Sequence, residues 1–285
     1  MRGRPDARFE QYDVVAPLAS GGMGGVYLAT HVTTGDRVAL KVLDPLFASH
    51  TEVVERLYAE RAVASRTSHP GLVDIREAAR NTDDIPYLVM EYLDGETVAA
   101  CLERGPLDVT AIAGIGAQIA AALSALHGAG VVHCDVKPEN VFILTGGVGA
   151  WPRIKVIDFG VSRLIDEPPP EDSSIAGTPA YMAPEQWRGR PCPASDVYAL
   201  GCVLYEMVTG ETPFDGSLPQ LMIAHTDQRP SRPSWVRPIP IELERIIMRA
   251  LAKDPELRPT MADLAAELGD LADVLATSDT LRLAV

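Results

Sequence analysis

The feature that most constrains this chain is a stretch without charge. From Val109 to Cys134 there is no Asp, Glu, Lys or Arg, and Ala, Ile and Leu dominate. A segment so long and apolar has to be hidden from water, in a protein core or in a bilayer. Gly114, Gly116, Gln118, Ser124, His127 and Gly128 dilute its apolarity, and a strongly polar loop follows at once. The reading is a buried helix over Val109–Gly128 in a soluble domain, not a membrane span. The chain has 285 residues, 47% of them hydrophobic. That suits one large domain or two lobes sharing a cleft.

The polar loop is His133-Cys134-Asp135-Val136-Lys137-Pro138-Glu139-Asn140. It places an acid, a cation and an amide within a few residues. Two apolar runs follow, Val141–Leu144 and Ile154–Ile157, and read as paired strands joined by a glycine-rich loop over 145–152. Asp158-Phe159-Gly160 comes directly after. A carboxylate at a strand end is preorganised for a hard cation that carries phosphate as co-ligand.

Upstream, residues 9 to about 45 read as strands. Tyr12–Leu18 runs into Ala19-Ser20-Gly21-Gly22-Met23-Gly24-Gly25, and Val26–Ala29 follows. A turn at Thr34-Gly35-Asp36 leads to Val38–Leu43. The glycine cluster lets backbone N–H groups approach phosphate oxygens without a Cβ in the way. A flexible turn explains it equally well. A dinucleotide fingerprint is disfavoured, because there the glycines open a helix and here a strand follows. Lys41 stands in the apolar strand, where a charge is costly without a partner, unless it faces solvent on a strand edge. The next helix, about Thr51–Ser65, offers Glu52, Glu55 and Glu60. Leu72–Ile75 and Tyr87–Met90 read as further strands, and Glu91-Tyr92-Leu93-Asp94-Gly95 leads out of them.

Beyond Gly160 the chain is polar to Ile175, with three consecutive prolines, so a mobile loop is expected. Gly177 to Glu185 contains Thr178 and ends in Ala183-Pro184-Glu185. A helix over Ser195–Met207 follows, with Ser195 as expected N-cap and Gly210 as stop. Further helices are expected near Pro219–Thr226 and Ile241–Leu251, and Thr260 to Asp263 opens the last one as a capping box.

The formal charge of -14 argues against nucleic-acid and anionic-membrane partners. Cys101, Cys134, Cys192 and Cys202 form no C-x-x-C pair, so free thiols in a reducing cytosol are expected and a zinc site is not. The first residues lack the apolar core of a signal peptide.

Taken as an ordered set, these motifs resemble the eukaryotic-like serine/threonine protein kinases, bacterial branch, over roughly residues 10 to 270. The resemblance rests on Gly21, Gly24 and Val26, the Val38-Ala39-Leu40-Lys41 strand, H-x-D-x-K-x-x-N, Asp158-Phe159-Gly160, Ala183-Pro184-Glu185, Asp196 and Arg258. It implies an α+β bilobal fold, with a small β-rich N-lobe over 11–90 and a mostly helical C-lobe over 96–270. An N-terminal extension (1–10), a hinge (91–95) and a C-terminal tail (271–285) complete the division.

It also implies roles. ATP would lie under Leu18, Gly21, Gly22, Gly24 and Val26, with Lys41 on its phosphates and Glu60 as the partner of Lys41. Glu55 on the same helix is the competitor. Glu91 and Leu93 would bond the adenine, Met90 would close the back of the pocket, and Val26, Ala39 and Phe142 would sandwich the base or simply belong to the core. Asn140 and Asp158 would hold magnesium, with manganese as a substitute. Asp135 would orient a protein serine or threonine hydroxyl, Lys137 would stabilise the transferring phosphoryl group, and Thr178 would bond Asp135 and Lys137. Glu185 and Arg258 would form a buried brace. Asp196 would hold the catalytic-loop backbone, or merely cap its helix. Autophosphorylation in a homodimer, cytoplasmic location and no membrane span are further expectations. The alternative is an ATP-binding pseudokinase scaffold.

Two positions depart from the pattern. Ala19 replaces the first glycine of the loop. Cys134 stands where most relatives carry an Arg that binds a phosphorylated activation-loop residue. The expectation is weaker dependence on such phosphorylation, for which Ser173 and Ser174 are the candidate sites. Cys134 itself is either an inert filler or, as a second reading, a redox-sensitive thiol.

Overall fold

The structure is a computed structural model that describes residues 9–146, 151–165 and 177–283, with side chains to residue 277. It has the expected α+β composition and divides into two compact units. One comprises 9–68, Leu72–Asp94 and Asp158–Gly160, and the other His69–Gly71, Gly95–Ile157 and the chain from Val161 onward.

The first unit is a five-stranded antiparallel sheet of β1 (Tyr12–Gly21), β2 (Gly24–His31), β3 (Arg37–Leu43), β4 (Ile75–Arg80) and β5 (Pro86–Glu91), in the order β1-β2-β3-β5-β4. Strand periodicity sorts the side chains of β3. Val38, Leu40 and Val42 join Phe9, Tyr12, Ala29, Ile85, Tyr87 and Val89 in one apolar cluster. Phe9 meets Tyr87 edge to face at 4.9 Å, which anchors the chain just ahead of β1. Lys41 belongs to the alternate set. Helix α1 (Thr51–Ala64) packs on β4 and β5 and buries Val54, Leu57, Glu60 and Val63, which recur every three residues on one face.

The run Leu72–Ile75 was expected as a strand, but the ladder begins only at Ile75 and continues to Arg80. Leu72 and Val73 are buried without being part of it. Asp74 explains the offset, because its N–H donates to the Glu91 side chain at 2.8 Å and its carbonyl accepts from the Glu91 N–H at 2.9 Å. Beyond it, Ile75, Glu77 and Ala79 are less exposed than Arg76, Ala78 and Arg80, the alternation of an outer strand with one covered face.

In the second unit, β6 (Gly95–Thr97), β8 (Val141–Leu144) and β9 (Ile154–Val156) form one small sheet, and β7 (Val131–Val132) pairs with β10 (Arg163–Leu164) in another. The helices are α2 (Val98–Leu102), α3 (Val109–Gly128), α4 (Pro193–Thr209), α5 (Leu218–Asp227), α6 (Ile241–Ala250) and α7 (Met261–Leu283). Among the described residues, α3 is the only helix long and apolar enough to cross a membrane. It packs instead on α7 and α4, burying Ile112, Ile115, Ile119, Leu123 and Leu126. Gly116 permits the approach, since a Cβ there would sit 2.7 Å from Leu204 Cδ2. Asp108 caps this helix, accepting from Thr110 N–H at 2.8 Å.

Two helix ends differ from expectation. Ser195 is not the N-cap of α4, which starts at Pro193 with Cys192 in the capping position. Proline is preorganised for the first turn, which pulls the start upstream. Ser195 Oγ then accepts from Cys192 N–H at 3.1 Å and donates to Glu185 Oε1 at 2.6 Å. Helix α7 also runs without a break through residue 271, where the tail was expected to begin. Leu264, Leu268, Leu271 and Ala272 recur at helical spacing and are buried. Gly210 does end α4, with φ 82, and Thr260 Oγ1 accepts from Asp263 N–H at 3.1 Å at the start of α7.

Candidate functional site

The polar groups singled out by the sequence assemble into two constellations, one in each unit. In the first, Lys41 Nζ donates to Glu60 Oε1 at 2.6 Å, to Glu60 Oε2 at 2.8 Å and to Asp158 Oδ1 at 3.2 Å. Glu55, the competing acid, lies on the exposed side of α1, whereas Glu60 is on the buried face. Burial raises the Glu60 carboxyl to about 7, with Asp158 adding to the rise and Lys41 opposing it. Burial also pulls on Lys41, but the carboxylates of Glu60 and Asp158 outweigh it and hold the ammonium above its ordinary value. Lys41 thus faces two acids at once.

Asp158 has φ 67, a left-handed conformation uncommon for an aspartate. Gly160 N–H donates to its Oδ1 at 3.3 Å. In the hairpin, Gly24 has no latitude: a Cβ would collide with the Val42 carbonyl. Gly22 would meet nothing, and Gly21 only the Gly24 carbonyl at 3.9 Å. The chain itself therefore requires glycine at 24, while 21 and 22 leave open space at the tip.

Val26 lies opposite Lys41, and Ala39 opposite Met90. Leu18 is exposed on β1 and Glu91 ends β5. Just beyond, Leu93 has neither its N–H nor its C=O bonded within the described residues.

In the second unit, Asp135 is held by three side chains. Thr178 Oγ1 donates to Oδ1 at 2.7 Å, Lys137 Nζ pairs with Oδ2 at 2.8 Å, and Asn140 Nδ2 reaches Oδ2 at 3.3 Å and the Asp135 carbonyl at 2.9 Å. Lys137 also donates to Thr178 Oγ1 at 2.8 Å. Asn140 spends its amide hydrogens on Asp135, so its Oδ1 is the acceptor left over. Phe142 sits in β8 opposite Thr97 and Lys155.

The loop backbone is carried by Asp196. Its Oδ2 accepts from His133 N–H at 2.8 Å and its Oδ1 from Cys134 N–H at 2.9 Å. His127 Nε2 lies 2.8 Å from Oδ2 and adds a partner that the sequence did not reveal. Glu185 and Arg258 form a two-pronged pair, at 2.6 and 3.0 Å. Gln186 is the second group missed from sequence. It donates from Nε2 to the Cys134 carbonyl at 2.9 Å, and the only available signal was its place directly after Ala183-Pro184-Glu185.

Cys134 is 5% exposed, and burial, followed by the Asp196 carboxylate, pushes its thiol well above the ordinary value. A buried thiol so far from ionisation is a poor redox sensor, so the structure favours the inert filler. Ser173 and Ser174 lie outside the described residues.

Chemically, the first unit offers an ammonium and a carboxylate suited to phosphate and a hard cation, and the second offers a restrained carboxylate beside an ammonium. Among the described residues no three His, Cys, Asp or Glu gather into a metal cluster.

Comparison with known proteins agrees with this chemistry. The protein kinase domain family matches residues 12–268. The serine/threonine-protein kinase Pkn1 of Myxococcus xanthus is 41% identical over 256 residues, covering 88% of this chain and 36% of Pkn1. PkaA of Streptomyces coelicolor, also a serine/threonine-protein kinase, is 39% identical over 278 residues, covering 92% of this chain and 50% of PkaA. The chain thus spans from about a third to half of these curated relatives. The crystal structure of the Mycobacterium tuberculosis PknI kinase domain superposes with a TM-score of 0.70 at 28% identity, covering 92% of this chain and 97% of that one.

Proposed function

We propose, since this chain belongs to the protein kinase family, that it transfers the γ-phosphoryl group of ATP to serine and threonine hydroxyls of proteins, itself included. The observation that carries this reading is the restrained Asp135 carboxylate, bonded at once by Thr178 and Lys137. A carboxylate fixed in this way is suited to accept a hydrogen bond from an incoming hydroxyl and align it for attack. Lys137 would stabilise charge on the group in transit, and Lys41, held by Glu60, would bind the nucleotide phosphates. Leu18, Gly21, Gly22, Gly24, Val26 and Ala39 would frame the nucleotide with Phe142, while Met90, Glu91 and Leu93 would receive the adenine. Magnesium, when bound, neutralises phosphate charge. The Asp158 carboxylate and Asn140 Oδ1 are the oxygens that would hold it, with manganese as a substitute. Cytoplasmic location and autophosphorylation in a homodimer belong to the same proposal.

The test is incubation with labelled ATP, magnesium and a mixed set of proteins, followed by mass spectrometry of the phosphorylated sites. Phosphoserine and phosphothreonine are expected. Asp135→Asn should cost about 10²- to 10⁴-fold in kcat, the range typical of a positioned acid or base, and Asp158→Ala should abolish metal-dependent turnover. ATP binding without transfer to any protein would instead identify a pseudokinase scaffold.

Cys134 supports a finer reading, in which activity depends little on activation-loop phosphorylation. A neutral thiol cannot pair with a phosphate. Replacing Ser173 and Ser174 together by Ala should leave most activity in phosphate-free protein, and a loss above about tenfold, some 1.4 kcal/mol in the barrier, would defeat the reading.

A further inference from the structure

The peptide unit that carries Asp135 is gripped from outside its own loop. Cys134 has φ 68, a region that non-glycine residues rarely occupy, so this backbone needs support from its surroundings. Its N–H is taken by Asp196, as described, and the following N–H, of Asp135, reaches His133 Nδ1 at 3.3 Å. Its carbonyl accepts from Gln186 Nε2 at 2.9 Å. The other end of the same amide, Gln186 Oε1, accepts from Ala183 N–H at 3.1 Å. Both functions of the amide are used, and the two bonds fix its orientation.

Gln186 and Cys134 are each 5% exposed, so water is a poor substitute for this bond. Gly177 shapes the same place. A Cβ there would come within 2.9 Å of the Cys134 carbonyl oxygen, and its φ of +125 disfavours any side chain. The segment from Gly177 to Gln186 therefore holds Asp135 twice, by its carboxylate through Thr178 and by its preceding carbonyl through Gln186. The Cys134 side chain adds no such link, since its Sγ lies 3.6 Å from the Val132 carbonyl.

We propose that Gln186 is a positioning residue for phosphoryl transfer, which sets the plane of the Cys134–Asp135 peptide and so aims the Asp135 carboxylate. The inference rests on the protein kinase reading given above. It requires one donor and one acceptor at position 186. Glutamate keeps the acceptor for Ala183 N–H but, when ionised, sets a carboxylate against a carbonyl. When protonated it regains a donor.

The test compares wild type, Gln186→Glu and Gln186→Met by steady-state kinetics with a serine peptide between pH 6 and 8, alongside thermal unfolding. Both variants should lose about 10- to 100-fold in kcat, the scale of a small misplacement of a reacting group, with KM for ATP within about twofold of wild type. The kcat of Gln186→Glu relative to wild type should recover as pH falls and its carboxyl gains a proton, whereas Gln186→Met should show no such trend. A purely structural brace would give no pH-dependent recovery and would lower kcat only in step with unfolding. That result, or a kcat within about twofold of wild type, overturns the inference. If Gln186→Glu does not fold, Gln186→Met decides through the split between kcat and KM. Wild-type protein that transfers no phosphate would overturn the kinase reading itself, and an active wild type with unaffected variants would overturn only the role of Gln186.

Discussion

At the scale of single residues, Glu60 ties burial to chemistry. Its carboxyl is pushed to about 7 by burial, so near neutrality it exchanges a proton while facing Lys41. Below that pH the acid is neutral and the ion pair becomes a weaker hydrogen bond from the ammonium to an uncharged carboxyl. At one unit below, only about a tenth of it stays ionised, by the definition of a pKa. Activity should therefore fall below pH 7 along a limb that is absent in Glu60→Gln, whose low activity should stay flat from pH 6 to 8. A limb of the same position in both proteins would remove Glu60 from the profile. Linkage gives the opposite sign for stability. A carboxyl raised from 4.5 to about 7 favours the folded state at low pH, and that contribution is lost as pH rises through 7. The group that positions Lys41 at working pH thus does so at some expense to the fold. The sequence offered both Glu55 and Glu60, and only the burial of one helix face separates them.

At the scale of elements, the Arg258 guanidinium joins three pieces of chain. Its Nε donates to the Ala252 carbonyl at 2.7 Å. Nη1 serves Glu185 Oε1 and the Ala194 carbonyl, and Nη2 serves Glu185 Oε2 and the Lys253 carbonyl. The turn after Ala183-Pro184-Glu185, the start of α4 and the α6–α7 connection are thereby locked together. All five N–H groups are used, which a lysine with three could not reproduce. The Arg258 side chain is fully buried. Removing it leaves the Glu185 charge without its partner, at a cost of about 3–5 kcal/mol. Arg258→Ala should lower the thermal midpoint by roughly 10 °C, and Arg258→Lys by less but still measurably. A midpoint within a degree or two of wild type in both would show that the brace carries no stability. The partnership of Glu185 and Arg258 was legible from motif order. The part played by Ser195, which the sequence suggested as a helix cap, was not, because Pro193 moves the helix start and frees its hydroxyl for Glu185.

At the scale of the whole molecule, the formal charge of -14 sets a long-range field. Cationic peptides are drawn toward such a surface and acidic ones are held off. The screening length shrinks from about 30 Å at 0.01 M salt to about 8 Å at 0.15 M. Over that range KM for a serine peptide flanked by Lys and Arg should rise several-fold, while KM for one flanked by Glu should hold or fall. Equal salt dependence of the two would show that local contacts, not net charge, select substrates.

The amino-acid sequence by itself determined the elements and the chemistry they carry. Most of the charge-free run became the buried helix α3, because a helix satisfies its own backbone while its apolar side chains are hidden, and the rest of the run entered β7. The spacing of Asp135, Lys137 and Asn140 put three polar groups on one short loop, within reach of one another. Tertiary structure decided what depends on residues far apart in the chain. It chose Glu60 over Glu55, turned Asp196 toward the loop backbone instead of its own helix end, ran α7 through the expected tail, and placed Gln186 on the Cys134 carbonyl. Each of these is a question of which buried polar group meets which partner. Local pattern cannot answer it, because the partner is supplied by packing rather than by neighbours in sequence.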